Sequence, residues 1–471
     1  MTDRESWLLV AAVAVLLVAL GAAVVAADGP ASGTADATIE GWTPDVDDPR
    51  DVTAPDESGV ATLEDQAYDS VQAAVDDAEP GDTITLEGRF DEHVTVETSD
   101  LTLEAADSAV GSETGTEAAL LDGSGEGTVL EITAANVTVD GLWVRESGPD
   151  RSTEDAGIYV NGSDATLSDV RITESTFGIW ITEATNVTVE DAAIAGREEI
   201  GESQRGNGIH LDRADGAQLL DNEITTVRDG IYFSWSEDVR ADGNHLWDLR
   251  YGVHYMYSDH NHLEGNVAFD NDVGFALMVS QDLTIVDNVV VNNDGPSGQG
   301  ILVKDVDNSE IRDNAVVANR NGLYVYNAHG NEIIDNLVLE NGVGIHFTAG
   351  STDERVVGNS VIENGEQAYA STTSQLAWND TDGGNYWSDA RASDLDGDGT
   401  SAVRHQPAGT VEQLVREQPQ AAVFAESPAF DAVRMAESSF PILESPGVVD
   451  HRPLAEPPHD NWREYYADHD Y

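Results

Sequence analysis

Apolar and polar residues alternate in a short block that recurs along the middle of the chain, and each block begins with a glycine. These glycines are Gly157, Gly178, Gly208, Gly230, Gly252, Gly274, Gly300, Gly322 and Gly344. From Gly208 to Gly344 they are 22 residues apart, except for one step of 26. The first and third residues after each glycine are apolar or aromatic, which predicts a short strand with those two side chains buried.

Two further apolar runs complete each repeat, one before and one after a recurring asparagine. These asparagines are Asn222, Asn244, Asn266, Asn288, Asn314, Asn336 and Asn359. Three short strands per repeat, stacked on those of the next repeat, predict an all-β fold, a right-handed parallel β-helix over residues 61–375. We expect the glycines and asparagines at corners where φ is positive, and aligned asparagine amides that hydrogen-bond along the stack.

The N-terminal part of the chain lies outside this pattern. Residues 1–27 contain an uncharged apolar run from Trp7 to Ala27, long enough to span a bilayer. The prediction is therefore an exported chain, with a signal peptide that is cleaved or an N-terminal membrane anchor that is retained. Residues 28–60 predict a disordered linker. Residues 70–78 predict an amphipathic helix that caps the first rung.

Beyond residue 360 the repeat decays. Residues 376–410 form an acidic, Asp-rich turn region, and residues 411–471 have apolar residues at helical spacing, interrupted by Pro419 and Pro428. We expect this helical tail to be separate from the solenoid and to contribute nothing to its rungs.

The Asp-rich region contains a candidate calcium site. Asp394, Asp396 and Asp398 have the spacing of the first half of an EF-hand loop. The twelfth position is His405, where that loop requires a bidentate glutamate. The alternatives are weak calcium binding and an acidic turn without a ligand.

The charge of the chain limits its partners. It has 89 acidic residues against 22 basic ones, a formal net charge of −67, and a single lysine, Lys304. Such an excess, spread over the whole chain, is typical of proteins that stay soluble in molar salt, where screening limits self-repulsion to contact range. We expect no nucleic-acid partner. The absence of cysteine excludes disulfides and thiolate metal sites.

The outward-facing positions of the predicted strands hold candidate metal ligands. The second and fourth residues after Gly252 are His254 and Met256, and Met278 has the same place as Met256 one rung further on. A thioether gains nothing from facing water, whereas one imidazole and two thioethers suit Cu(I), so the pattern predicts a copper site. The alternative is an exposed ladder of His, Tyr and Trp that stiffens the sheet, which we favour for His346.

Three other histidines near this patch are candidates for outer ligands or for transfer of the metal to a partner. His210 occupies the position of His254 two rungs earlier, and His260 and His262 follow on the adjoining turn.

Several segments resemble the NosD family, the exported β-helix maturation proteins of nitrous oxide reductase. They are Arg-Tyr-Gly-Val-His-Tyr-Met-Tyr-Ser at 250–258, Asn-Tyr-Trp-Ser at 385–388, and Asp-His-Arg-Pro-Leu at 450–454. The resemblance implies a non-enzymatic accessory factor in copper-centre assembly that works with an ABC transporter, an ATPase plus a membrane permease. It also implies nitrous oxide reductase as a partner, and a copper chaperone is a further expected partner. The acidic turn departs from the family pattern, since Thr400-Ser-Ala-Val replaces a Gly-Asp-x-Pro-Tyr ending.

Two other classes compete with this interpretation. A β-helix polysaccharide lyase, hydrolase or epimerase needs carboxylates with an acid or base on one face. The second and fourth positions after the glycines hold one carboxylate, Asp212. An acidic surface adhesin would explain the charge and an anchor, but not the patch of histidine and methionine.

Overall fold

The computed structural model describes residues 44, 46–106, 118–348, 350–372, 374–407, 411, 414–415, 418–424, 427–439 and 447–466. Within these residues the chain winds into stacked coils, each with three short strands that pair in parallel with the next coil. The predicted all-β parallel β-helix is therefore confirmed. Three sheets run along the solenoid, and we number them in the order in which a coil visits them.

Sheet 1 contains the strands that begin beside the recurring glycines, and it has twelve strands. Each strand pairs in register with its equivalent one repeat later, as when His210, Tyr232 and His254 follow one another across three strands. The strands are Val94–Val96, Leu130–Ile132, Ala156–Val160, Phe177–Thr182, Ile209–Asp212, Asp229–Ser234, Tyr251–Met256, Val273–Gln281, Gln299–Asp307, Asn321–Tyr326, Val343–Phe347 and Glu366–Ala370.

Sheet 2 carries the apolar run that precedes each recurring asparagine, and it begins with an antiparallel hairpin. Its strands are Val60–Leu63, Gln66–Tyr68, Thr83–Phe90, Thr102–Ala105, Thr138–Asp140, Thr166–Ser168, Thr188–Glu190, Gln218–Leu220, Arg240–Asp242, His262–Glu264, Thr284–Val286, Glu310–Arg312, Glu332–Ile334 and Arg355–Val357.

Sheet 3 carries the run that follows the asparagine, and its first rung is the second half of Thr83–Phe90. Its other strands are Ala119–Asp122, Trp143–Arg145, Arg171–Ser175, Ala193–Gly196, Glu223–Thr225, His245–Trp247, Val267–Phe269, Val289–Val291, Ala315–Val317, Leu337–Leu339, Ser360–Ile362 and Tyr386–Trp387.

The helix predicted at 70–78 is present as α1, Val71–Asp77. Its N-terminus is capped by Ser70, whose side chain accepts a hydrogen bond from the amide of Ala73, and Val71 and Val75 are buried against the first strands. A second helix, α2, spans Pro428–Ser439. Short 3₁₀ helices are at Arg151–Thr153, Glu202–Gln204, Pro419–Phe424 and Trp462–Tyr465.

The expected asparagine ladder forms. Each buried asparagine donates from Nδ2 to Oδ1 of the next, over 2.8 Å from Asn222 to Asn244 and 2.7 Å from Asn244 to Asn266. The ladder continues through the predicted positions and ends at Asn385, which accepts from Asn359 over 2.8 Å. A second ladder, which the repeat analysis missed, runs through Asn271, Asn293, Asn319, Asn341 and Asn364.

The expectation that the recurring glycines and asparagines adopt positive φ is wrong for both. None of the glycines from Gly208 to Gly344 that begin a repeat is among the positive-φ residues of the described chain. They are required for close packing, since a Cβ on Gly208 would lie 2.4 Å from Cγ2 of Ile224 and 2.7 Å from the carbonyl oxygen of Gly230. Positive φ occurs instead at the residue before many ladder asparagines, such as Asp221 and Asp287.

Both expected boundaries of the solenoid need correction. Within the expected linker, residues 46–60 pack on the coils: Arg171 donates to the Pro49 carbonyl oxygen, and Val60 begins the first strand. At the other end the coils continue past residue 375 to the strand Tyr386–Trp387. The expected leader at 1–27 lies outside the described residues.

The expected tail is not separate from the solenoid throughout its length. The strand Gly447–Val449 pairs with Gln375–Ala377, and buried Asp450 accepts hydrogen bonds from the Asn385 amide and the Trp387 indole over 2.7 and 2.9 Å. Further on, Tyr466 packs on the apolar outer side of sheet 3 and donates to Glu340 over 2.7 Å. These contacts cover the last coil and an outer face that would otherwise expose apolar residues. Among the described residues, no helix is long and apolar enough to cross a membrane.

Candidate metal site

The strands of sheet 1 present three outward positions per rung. The recurring glycine and the residue after it are both buried. Asp229 pairs with Tyr251 and Ile231 pairs with Val253, whereas the glycines between them are not paired. This bulge-like step places the residue before each glycine on the outer face, together with the second and fourth residues after it. In one region these positions hold His254, Met256 and Asp229.

His254 is held by a buried ion cluster. Its Nδ1 lies 2.9 Å from Oδ2 of Asp229, a carboxylate with no exposed surface. Arg250 binds the same carboxylate through Nε and Nη2, at 2.7 and 2.5 Å. The rings of Tyr232 and Tyr251 pack edge-on against the imidazole, with centroids 4.8 and 4.9 Å away. The side chain of His254, which is 11% exposed, is therefore fixed in one orientation.

The electrostatics of this cluster set the tautomer of His254. Burial raises the pKa of the Asp229 carboxyl, but hydrogen bonds from His254 and Arg250 outweigh burial and hold that pKa below its ordinary value. An ionised carboxylate only accepts hydrogen bonds, so Nδ1 of His254 carries a proton and donates. In the neutral form of the ring, Nε2 is the nitrogen without a proton and can bind a metal, the arrangement in which an outer carboxylate orients a ligand histidine.

Two thioethers lie beside this imidazole. His254 pairs with Ala276, and the Ser258 amide donates to the Ser280 hydroxyl over 3.1 Å, so the 22-residue register holds on both sides of Met256 and Met278. The two methionines therefore occupy equivalent positions on adjacent rungs, about 4.8 Å apart. Both are half-buried, and Met278 packs against a small apolar cluster that includes Leu302. One imidazole nitrogen and two thioether sulfurs are donors that fit Cu(I).

His210 lies on the same face but at a distance from the methionines. Its ring stacks on Trp180, with centroids 3.8 Å apart, and Tyr232 separates it from His254. Burial lowers the pKa of His210 to about 3, with a smaller contribution from His254. Its Nδ1 contacts the Asn207 amide at 3.0 Å. The structure thus places His210 in an aromatic stack, two rungs away from the candidate ligand.

His260 and His262 are not brought to this patch. His260 lies at an exposed corner with positive φ, its Nε2 3.6 Å from Asp282. His262 belongs to sheet 2, and its Nε2 lies 2.9 Å from Glu264. Either could act only by contact with a partner.

The Asp-rich turn brings its three carboxylates together. Asp394, Asp396 and Asp398 are exposed, and one oxygen from each lies within 4.8 Å of the others. Asp398 is also bound by Arg452 at 2.9 Å, and the amide of His405 pairs with the carbonyl of Asp450 instead of completing a loop. Backbone amides of the turn hold the pKa of Asp394 below its ordinary value. Calcium binding here stays a prediction.

Asp229 is a residue of the candidate site that the repeat pattern did not indicate. Strict alternation from the buried residue after Gly230 places Asp229 on the inner side of the strand, whereas the buried glycine shifts it to the outer face. The sequence did contain one signal against the inner position: a carboxylate would be costly among the core residues of sheet 1.

Fold and outer face together define a class of protein: a parallel β-helix with a patch of soft metal donors on one sheet. A family model described as "Periplasmic copper-binding protein (NosD)" matches residues 190–392. A protein of Pseudomonas aeruginosa named "Probable ABC transporter binding protein NosD" is 36% identical over 354 residues, which cover 72% of this chain and 82% of that protein. Its namesake in Stutzerimonas stutzeri is 33% identical over 357 residues, covering 72% and 81%. The chain belongs to the NosD family.

Among solved structures, PfbA, a surface adhesin of Streptococcus pneumoniae, is similar with a TM-score of 0.50 and 12% identity, over 64% of this chain and 88% of that one. At this identity the likeness concerns the fold alone.

Proposed function

We propose that this chain is an exported accessory factor that binds Cu(I) through His254, Met256 and Met278 and takes part in assembling the copper centres of nitrous oxide reductase. The observation that carries the proposal is the imidazole oriented by buried Asp229 beside two thioethers on adjacent rungs. Membership of the family supports copper as the metal and a location outside the cytoplasmic membrane, since the family model is described as a periplasmic copper-binding protein.

The donor set argues for Cu(I) over harder metals. Thioethers and a neutral imidazole are soft ligands, and Cu(I) accepts three of them without needing a charged one. The neighbouring Asp229 is already bound by Arg250 and His254, so it orients the imidazole and is not free to bind the metal. Half-buried methionines leave the metal within reach of a protein that would donate or accept it.

We propose no catalytic role for the chain. A carbohydrate-active enzyme needs a carboxyl group that can exchange protons with the sugar. On the outer face around His254, Asp229 is buried and its pKa is lowered, which suits orientation of an imidazole and not proton exchange. The relatives in Pseudomonas and Stutzerimonas are named as binding proteins. Incubation with uronate polymers should yield no unsaturated product at the wavelength where lyase products absorb.

The ABC transporter is the proposed partner at the membrane, with nitrous oxide reductase and a copper chaperone as further partners. The tail is the proposed contact with the permease. Val423, Phe424 and Met435 are 84%, 59% and 53% exposed, respectively, on its short helices. Contiguous exposed apolar surface marks interaction sites in soluble proteins, and Val423 and Phe424 are adjacent in the chain.

The copper proposal is tested by competition for Cu(I) between the protein and a chelating dye under reducing conditions. His254→Gln removes the oriented nitrogen and should weaken Cu(I) binding by about tenfold or more. His346→Gln is the matched control, because His346 packs against a tyrosine in the same way but has no methionine nearby. Equal affinity of the parent and His254→Gln would overturn the proposed site.

The proposed contact with the transporter requires a substitution rather than a deletion, because residues 447–466 cover the solenoid. Phe424→Asp should reduce co-purification with the permease and leave the melting temperature unchanged. Leu395→Asp, at an 87% exposed position in the acidic turn, is the control. If Phe424→Asp retains the transporter as well as the control does, the tail is not the contact.

A further inference from the structure

Three arginines gather at one edge of sheet 1 in a chain that has only 22 basic residues and a net charge of −67. Arg228 and Arg250 occupy the same position on adjacent rungs, two residues before the recurring glycine, and the Arg250 amide donates to the Arg228 carbonyl oxygen over 2.8 Å. Their side chains therefore start about 4.8 Å apart. Arg151 comes from the loop around the 3₁₀ helix Arg151–Thr153.

Two loops place Arg151 over this edge. Its Nη1 donates to the carbonyl oxygen of Ser203 over 2.9 Å, so the loop that carries Arg151 is fastened to the insertion around Glu202–Gln204. The same insertion is joined to sheet 1, because the Arg228 amide donates to the Gly206 carbonyl oxygen over 2.7 Å. The insertion between the repeats of Gly178 and Gly208 thus helps to shape the cluster of Arg151, Arg228 and Arg250.

The carboxylates near these three arginines do not neutralise all of their positive charge. Asp229 is shared by Arg250 and His254. Within the described residues, the Arg228 guanidinium makes no hydrogen bond or ion pair, and Nε of Arg151 is buried without an acceptor. Burial, and then the nearby charge of Arg228, lower the pKa of Arg151. Glu202, an exposed side chain, acts on Arg250 only at longer range.

We propose that Arg151 and Arg228, beside the Arg250–Asp229 pair, form an anion-binding site for a carboxylate or a phosphate-like oxoanion. Guanidinium groups present forked N–H donors that match the paired oxygens of such groups. A bound anion would offset the repulsion between Arg151 and Arg228. The anion is either free in solution or an acidic side chain of a protein partner.

This site adjoins the copper patch through the Arg250–Asp229 pair, but Arg151 and Arg228 are not among the proposed copper ligands. Arg228 and Arg250 precede the recurring glycines of their rungs, whereas Met256 and Met278 follow theirs, with His254 in between. The anion proposal therefore does not depend on copper binding, and it is tested on metal-free protein.

The experiment is a calorimetric titration of the metal-free, full-length protein with inorganic phosphate at constant ionic strength. One site per chain is expected, and Arg228→Gln should weaken binding by about tenfold or more, the effect of losing a charge-assisted hydrogen bond. Arg240→Gln is the matched control, since Arg240 is an arginine of sheet 2 that is paired with Asp242 and Glu264 on the surface. Because the Arg228 side chain has no hydrogen-bond or ion-pair partner in the described part of the chain, Arg228→Gln should keep the parent melting temperature.

A second titration, with a short blocked peptide of glutamates, distinguishes the two sources. Binding of phosphate that Arg228→Gln weakens assigns the site to a free oxoanion. Binding of the peptide alone, again weakened by Arg228→Gln, assigns it to a carboxylate of a partner. The proposal is overturned if neither ligand binds, or if Arg228→Gln and Arg240→Gln weaken binding equally, because the effect would then come from net charge.

Discussion

The outer face of sheet 1 contains the same tyrosine–histidine pair twice. Tyr232 and His254 pack edge-on with centroids 4.8 Å apart at 78°, and four rungs later Tyr324 and His346 pack at 4.7 Å and 70°. Both pairs occupy the same two positions on adjacent strands. Aromatic packing of tyrosine on histidine therefore recurs on this face, and it does not by itself define a metal site.

The surroundings of the two pairs differ at every neighbouring position. Where the first pair has buried Asp229, the second has the amide of Asn321, and where the first has Arg250, the second has Gly342. Met256 corresponds to Thr348. A further ring, Tyr369, covers His346 on its other side. A candidate ligand histidine therefore differs from a packing histidine in two ways: a carboxylate orients its imidazole, and a sulfur lies beside it.

The largest expected effect is on stability at Asp229. Asp229→Asn leaves the Arg250 guanidinium without its buried countercharge, so the free energy of unfolding should fall by about 3 kcal/mol or more. Asn321→Asp, the converse change at the other pair, should alter stability by less than about 1 kcal/mol, because Asn321 is only half-buried. Denaturant unfolding at neutral pH measures both changes.

The contribution of Asp229 also has a defined pH dependence. Its folded pKa lies below the ordinary value of 3.8, so the stabilisation is complete above pH 3.8 and is lost as the pH falls through the folded value. Equal stability of the parent and Asp229→Asn at neutral pH would show that the ion cluster does not stabilise the fold.

His210, the third histidine of this face, should give a smaller effect that appears only in acid. Its folded pKa of about 3 lies below the ordinary value of 6.5, so the unfolded chain takes up a proton between these values and stability falls as the pH decreases through that window. The slope is at most about 1.4 kcal/mol per pH unit. His210→Gln should flatten the stability curve between pH 6 and 4, measured by denaturant unfolding, and an unchanged slope would contradict the buried, neutral state of the ring.

The smallest expected effect is on copper affinity at a single sulfur. Met256→Leu keeps the volume and removes one donor, so Cu(I) binding should weaken by about tenfold without loss of stability. Met435→Leu, at an exposed position of α2, is the matched control. Dye competition measures both affinities, and if Met256→Leu and Met278→Leu each bind as tightly as the parent, the methionines are a packing feature.

Much of the fold follows from the period of the sequence alone. The 22-residue spacing sets the register, so the positions of His254, Met256 and Met278 on one face were predictable once the strand after Gly252 was recognised. The asparagine ladder followed from the same spacing, since equal intervals bring equal side chains together.

The position of Asp229 and the cover of the last coil could not be predicted from the alternation of apolar and polar residues. The buried recurring glycines shift Asp229 to the outer face, and the paired strands show this shift where strict alternation places Asp229 inside. Likewise, the strand Gly447–Val449 joins residues 375–377 across about 70 residues of chain, a contact that no local pattern indicates. Both features depend on pairing between strands that are distant in the sequence. The first determines which carboxylate contacts His254, and the second determines which segment covers the last coil.

The most direct test of the copper site is the X-ray absorption spectrum of the protein loaded with one equivalent of Cu(I). We expect a copper shell of two sulfur atoms and one nitrogen, and the sulfur scattering should disappear in the double variant Met256→Leu with Met278→Leu. A shell of nitrogen and oxygen only, or a sulfur signal that persists in the double variant, would contradict the assignment of copper to His254, Met256 and Met278.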